Sequence, residues 1–194
     1  MIRAVLAACL SGLVTSLVPI SSAANDLHIA AVSAYVDENV RPWIHDPWVI
    51  EALHNSNAYH QYLTAQDIER LDNQWRMEFR AQSKPLISAI INNALSVMLR
   101  EKQARSDGII TEILVMDAKG LAIGESDITS DYWQGDELKW QNTYLAGANV
   151  TFVDRAEKDE STQMLQAQAS MTISDPETGQ PIGAITVGIN LDAL

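Results

Sequence analysis

The stretch 170–194, SMTISDPETGQPIGAITVGINLDAL, carries the reading on which the fold turns. Leading into it, Leu165, Ala167, Ala169, Met171 and Ile173 alternate with Gln166, Gln168, Ser170 and Thr172. Strict alternation of this kind predicts a strand with one apolar face and one small polar face. DPETG at 175–179 then places Pro and Gly where a tight turn uses them. In AITVGINL, at 184–191, Ile185, Val187, Ile189 and Leu191 share one face, while Ala184, Thr186, Gly188 and Asn190 share the other. The two runs read as a β-hairpin. Its bulky face is expected against a helix, and its small polar face against either solvent or a wet pocket.

Working outward, IITEILVM at 109–116 is β-rich and apolar on both faces, DAKG at 117–120 is a turn, and LAIG returns as a second hairpin. NVTFVD at 149–154 supplies one more strand, so five are predicted. Upstream the period changes from two to 3.6. LHIAAVSAYVDENV at 27–40 reads as a helix with Leu27, Ala31 and Ala34 on one side, and RPW at 41–43 interrupts it. Asp46 and Pro47 start a short helix over 46–57. Thr64 and Asp67 approach a capping box, followed by an apolar stripe of Ile68, Leu71, Trp75 and Phe79. The strongest helix spans 83–108, with Ser83 as cap, Pro85 in the first turn and Gly108 at the end. Leu86, Ile90, Ala94 and Met98 form one row and Ile87, Ile91, Leu95 and Leu99 another, a stripe wide enough to be mostly buried.

Residues 1–24 read differently. Arg3 is followed by an apolar run that ends in small residues at Ser21, Ala23 and Ala24, the form of a secretory signal peptide cleaved after Ala23 or Ala24. The run is too short and too rich in Ser and Gly for a spanning helix. LAAC at 6–9 has the outline of a lipobox, but the apolar run continues past Cys9, so the expectation is a discarded cysteine rather than a lipid anchor. The mature protein is expected in the periplasm. Cys9 is the only cysteine, which leaves the mature chain without disulfides, Cys nucleophiles or Cys-ligated zinc. The full chain carries 13 basic and 25 acidic residues, net −12; losing Arg3 leaves 12 against 25, net −13. Such a surface repels nucleic acid and anionic membranes.

VMDAKGLAIGESDITSDYWQGDE at 115–137, the run 170–194 and a long helix before the first strand together resemble the single Cache (PDC) domain, an extracellular PAS-like sensor. The resemblance covers roughly residues 84–194, and its most specific part is DPETGQPIGAITVGINL. It implies an α+β, PAS-like/Cache fold: a five-stranded antiparallel sheet with a long N-terminal helix packed behind it and extra N-terminal helices. The expected organisation is a signal peptide over 1–24, a helical segment over 25–83 and the sensor domain over 84–194, the last two forming one globular unit. The resemblance also implies a small-molecule site between the sheet and the connection joining its second and third strands, here 125–148. Its ligands would be of the amino-acid, amine or carboxylate class. Members usually precede a transmembrane helix and an output domain; no second apolar span follows here. The expectation is therefore a free-standing sensor signalling in trans through a membrane receptor or kinase.

That connection contains SDYWQGDELKW at 130–140. Tyr132, Trp133, Trp140 and Tyr144 offer flat apolar walls with polar tips, Asp131 and Asp136 could pair with a ligand ammonium, and Arg76 could hold a ligand carboxylate. Asp154 and Gln168 are weaker candidates. Equally, Ser130 or Asp131 could cap a helix with Leu138, Trp140 and Tyr144 as buried anchors, which leaves the choice between pocket and core open. Asp127, Thr129 and Asp131 start like a calcium loop, but Gly135 and the following acids fall at the wrong positions, so no metal is expected. No G-x-S-x-G, HExxH or Gly-rich phosphate loop is present; neither a cofactor nor an enzyme activity is expected. The alternative to a metabolite sensor is a protein–protein interaction module of the cell envelope with no small ligand.

Overall fold

The structure, a computed structural model, describes residues 20–158 and 164–194, with side chains from His28 onward. The leader expected over 1–24, with Cys9, lies outside the described residues except for 20–24, which begin α1 (Ile20–Asn39). Four short or medium helices follow: α2 (Arg41–Ile44), α3 (Pro47–His60), α4 (Ala65–Phe79) and α5 (Pro85–Ile91). Then come α6 (Ala94–Ala104), strands β1 (Ile110–Asp117) and β2 (Ala122–Glu125), and α7 (Leu138–Gln141) with a 3-10 turn at Tyr144–Ala146. Strands β3 (Thr151–Val153), β4 (Glu157–Lys158), β5 (Leu165–Ser174) and β6 (Pro181–Asn190) complete the described chain. Among the described residues no helix is long and apolar enough to cross a membrane.

The fold is α+β. Every strand pair is antiparallel and the sheet order is β2-β1-β6-β5-β3, with the two-residue β4 also on β5. The five predicted strands are present; β4 is the addition, too short to leave a pattern. In the final hairpin Ser170 opposes Thr186 and Met171 opposes Ile185. Ala167, Ala169, Met171 and Ile173 join Ile185, Val187 and Ile189 in one core, as the alternation requires. Gly183 is needed there because a Cβ would collide with the Met116 carbonyl and the Leu53 side chain.

That core is roofed by several helices rather than one. Val32 and Val36 of α1, Val40 just beyond it, Val49 and Leu53 of α3, and Leu95 and Leu99 of α6 all pack on it. The face expected for α1 is corrected: Ala31 and Ala34 are exposed, and the bulkier valines at the neighbouring spacing of four turn inward. A second core lies on the opposite sheet face, where Leu114, Met116 and Ala184 meet Trp75 of α4, Ile87 of α5, and Tyr132 and Trp140 of the β2–β3 connection. α4 has the expected capping box at Thr64 and Asp67. Phe79, expected in its apolar stripe, is instead exposed, while Asp72 and Glu78 are buried.

The single helix expected over 83–108 is two helices, α5 and α6. Asn93 makes the break. Its Oδ1 accepts from Ser96 N at 2.8 Å, capping α6, and its Nδ2 donates to Ile123 O of β2 at 2.8 Å. Carbonyls at the end of α5 are taken by Ser96 Oγ, donating to Ile90 O, and Arg100 Nη1, donating to Ile91 O. Of the wide stripe only Ile87, Leu95 and Leu99 are buried, and Ala94 is exposed. Ser83 is not the cap either. Lys84 holds that position without a side-chain bond, and the Glu78 carboxylate accepts from Leu86 N at 2.7 Å and Ile87 N at 3.1 Å. An anion at a helix N-terminus is favoured by the unpaired N–H groups and the helix dipole.

If Asn93 sets the break, Asn93→Ala lowers the unfolding free energy by about 1–2 kcal/mol, since it removes a cap and a tertiary bond. Ser83→Ala changes it by less than about 0.5 kcal/mol. Urea midpoints of the two variants measure the difference, and equal midpoints would count against the Asn93 cap.

Candidate functional site

Asp117, at the end of β1 and fully buried, organises the region. Its Oδ1 accepts from Lys119 N at 2.8 Å and Leu121 N at 3.0 Å, which closes the β1–β2 turn. Its Oδ2 accepts from Ser56 Oγ at 2.9 Å and from His60 Nδ1 at 2.6 Å. Its backbone carbonyl accepts from Trp140 Nε1 at 3.2 Å. One residue thus joins α3, the hairpin turn and the β2–β3 connection. Ser56 and His60 sit one turn apart on α3, which puts both on the face that meets Asp117. Ser56 Oγ lies 3.1 Å from the same His60 nitrogen that faces Asp117. The imidazole therefore does not bridge hydroxyl and carboxylate as a catalytic relay does. It is held by Nδ1, and Nε2 has no bond among the described residues.

Beside this cluster, α3, α4, the α5–α6 break and β2 line a half-open cavity of about 660 Å3. Leu63, Leu71, Leu86, Ile90 and Ile123 supply apolar wall, while Ser56, His60, Arg70, Asn93 and Tyr132 bring polar groups. The Tyr132 hydroxyl makes no hydrogen bond among the described residues, and its burial, with Asp117 nearby, raises its pKa. Arg70 stands at the mouth with its guanidinium 3.6 Å from Asp67 and its side chain 64% exposed. An apolar chamber with a few converging polar groups is the usual form of a small-molecule site.

The connection itself is pinned by two carboxylates. Asp72 Oδ1 accepts from Tyr132 N at 2.9 Å and Trp133 N at 3.0 Å, and its Oδ2 takes Arg76 Nε at 2.8 Å. Arg76 Nη2 also reaches Asp131 at 3.2 Å, so the cation proposed for a ligand carboxylate is shared between two of the chain's own acids. Asp131 Oδ1 accepts from Gln134 Nε2 at 2.9 Å. Tyr132 stacks on Trp75 at 5.3 Å. Trp133 bridges to Leu121 and donates from Nε1 to Lys119 O at 2.9 Å. Trp140 stacks on Tyr144 at 5.0 Å over Asp117. Asp136 is exposed and lies apart, at a recess of about 270 Å3 shared with Asp154 and Gln168. Of the residues expected at the site, Tyr132 alone lines the large cavity; Ser56, His60, Asp117 and Asp72 were not anticipated. The one signal for them is the i, i+4 placement of Ser56 and His60 on a helix.

The small polar face of the final hairpin is covered, not solvated. Ser170, Thr172 and Thr186 are buried, and Ser170 bonds Thr186 at 2.9 Å. Gln134 Oε1, Thr172 Oγ1 and Ser174 Oγ are buried without a partner among the described residues. Among these residues no three His, Cys, Asp or Glu side chains converge as metal ligands.

Glu125, at the end of β2, is the second pinning carboxylate. It is buried and accepts from Thr129 N at 3.1 Å and Thr129 Oγ1 at 3.0 Å. Burial pushes its pKa from 4.5 up to about 7, against the opposing pull of the two Thr129 bonds. The folded protein therefore binds a proton that the unfolded chain has released between these two values. Its stabilising contribution is complete below the unfolded value and is lost as pH rises through the folded one. Relative to Glu125→Gln, the parent protein should lose up to about 3 kcal/mol between about pH 5 and about pH 8. Paired urea titrations at each pH measure this; a pH-independent difference would exclude a buried acid at Glu125.

No family model and no curated protein matches the chain. Among solved structures it is similar to the ligand-binding domain of the Campylobacter jejuni chemoreceptor Tlp3, at 15% identity and TM-score 0.41 over 74% of this chain and 57% of that one. It is similar to the ligand-binding domain of the Pseudomonas aeruginosa amino acid chemoreceptor PctC, crystallised with GABA, at 9% identity and TM-score 0.40 over 73% and 58%. It is also similar to the sensor domain of the V. cholerae histidine kinase DctB, at 13% identity and TM-score 0.41 over 89% and 58%. The chain spans less than two thirds of each of these structures.

Proposed function

We propose that the chain is a small-molecule-binding sensor domain whose ligand occupies the cavity beside His60 and Tyr132. The observation that carries this reading is the chamber of about 660 Å3 with apolar walls and an unpartnered phenol at its edge. Tyr132 touches the ligand on this reading, and Asp72, Asp131 and Arg76 hold its backbone in place. Trp133, Trp140 and Tyr144 fix the connection to Asp117 and the hairpin. Ligand entry shifts Tyr132, and with it a connection that spans the sheet, which gives occupancy a mechanical output. Residues 25–194 act as one unit after removal of 1–24, consistent with a core shared between residues 32–53 and the sheet. Export to the periplasm and a receptor or kinase partner in trans complete the proposal.

A second reading, an envelope interaction module, is favoured by Trp48, Tyr59 and Tyr62, which are 68%, 82% and 85% exposed on and just beyond α3. The two separate in a thermal-shift screen of the protein without residues 1–24 against amino acids, amines and carboxylates. A ligand at about 100-fold its dissociation constant raises native stability by about 2.7 kcal/mol. Tyr132→Phe weakens that ligand by about three- to tenfold. If no compound raises the melting temperature, the interaction module becomes the better reading.

A further inference from the structure

A second concavity adjoins this cavity. It has a volume of about 420 Å3, lies along α3 and α6 and shares Ala52, Ala94 and Leu95 with the first. Two of these three shared residues are alanines, which bring little side-chain bulk to the place where the regions adjoin. Beyond it, Trp48, Val97 and Met98 line an open groove that is apolar but for Asn55 and for Glu51 and Glu101. The two ends thus differ in charge: the Arg70 guanidinium at one, two glutamates at the other.

No Asp or Glu lines the first cavity among the described residues. The acid behind it, Asp117, already receives four hydrogen bonds on its two carboxylate oxygens. An ammonium entering the chamber would find no carboxylate to pair with, and losing its hydration would go uncompensated. An anion would find the guanidinium of Arg70, whose own acid is 3.6 Å away, and the unpartnered hydroxyl of Tyr132.

Resting on the small-molecule reading above, we propose that the ligand is an elongated amphipathic anion of the alkyl carboxylate type. Its carboxylate binds at Arg70 and Tyr132. Its unbranched tail crosses Ala52 and Ala94 and lies in the groove against Leu95, Met98 and Trp48. The glutamates fix the direction, because a carboxylate at that end would be repelled.

The test is calorimetric titration of the protein without residues 1–24 with butyrate, octanoate and dodecanoate at monomeric concentrations. Dodecylammonium, L-leucine and vesicles of phosphatidylglycerol serve as comparisons. Affinity should rise about fourfold for each methylene buried until the groove is filled. Arg70→Gln should weaken octanoate by about tenfold or more. Ala52→Leu adds bulk where the regions adjoin, so the ratio of octanoate to butyrate affinity should collapse toward one. Ala94→Leu, at an exposed position that tolerates the larger side chain, should do the same and guards against a folding defect. Trp48 fluorescence should respond to dodecanoate and not to butyrate.

Dodecylammonium binding as well as dodecanoate, a ratio unchanged in both alanine variants, or binding to vesicles without binding to monomeric carboxylates would each overturn the proposal. L-Leucine binding that depends on Tyr132, with no dependence on chain length, would overturn it while leaving the small-molecule reading intact. No binding by any compound of the series or of the wider screen removes both.

Discussion

A single buried aspartate at the end of β1 ties together α3, the β1–β2 turn and the β2–β3 connection. Asp117 takes two backbone donors from its own turn, a hydroxyl and an imidazole from α3, and an indole on its carbonyl. A buried acid left unpaired would cost several kcal/mol, so the geometry around it is all or nothing. If α3 moves, two of the donors go; if the turn changes, the other two go. The cavity wall, the hairpin and the seat of Trp140 are consequently one mechanical piece. Asp72 repeats the logic from α4, with two backbone N–H groups of the connection on one oxygen and a guanidinium on the other.

The connection between β2 and β3 has little regular structure of its own. α7 and one 3-10 turn are its only helical parts. It is held by side chains of other elements: Asp72, Arg76 and Trp75 from α4, Glu125 from β2, and the turn carbonyl of Lys119. A segment anchored this way keeps its shape while the anchors hold and can change it when one lets go, whereas a helix or strand must break its own ladder. Glu125 is the anchor with a proton to exchange near neutrality, and Tyr132 is the one that faces the cavity.

The sheet was legible because its evidence is local. Alternation along 165–173 and 184–191 names the buried face residue by residue, and DPETG between them names the turn. The helices were legible in type but not in extent. The apolar period continues without interruption through Asn92 and Asn93, and what breaks the helix is a bond from Asn93 to Ile123, thirty residues away. In α1 the competition between two apolar faces was settled by which side chains meet the sheet, which a helical wheel does not contain. Around the cavity the difficulty is greater still. Ser56 and His60 look like ordinary helix residues until Asp117, about sixty positions on, is brought under them. The aromatic cluster at 130–144 drew notice for its composition, yet both of its indole N–H groups are spent on backbone carbonyls.

The strand at the centre of the sheet is also the last of the described strands. β6 lies between β1 and β5, with Ile110 opposite Ile189 and Met171 opposite Ile185. Until β6 emerges from the ribosome, β1 has only the short β2 to pair with and β5 has only β3 and β4. Closing the β1–β6 pair means closing a loop from Asp117 to Gly183, a slow step whose entropy is lost before its contacts form. The helices can form early, but the sheet that they cover is complete only once β6 has been made. Until then both halves of the sheet keep an unpaired edge, so neither can settle into its final place alone.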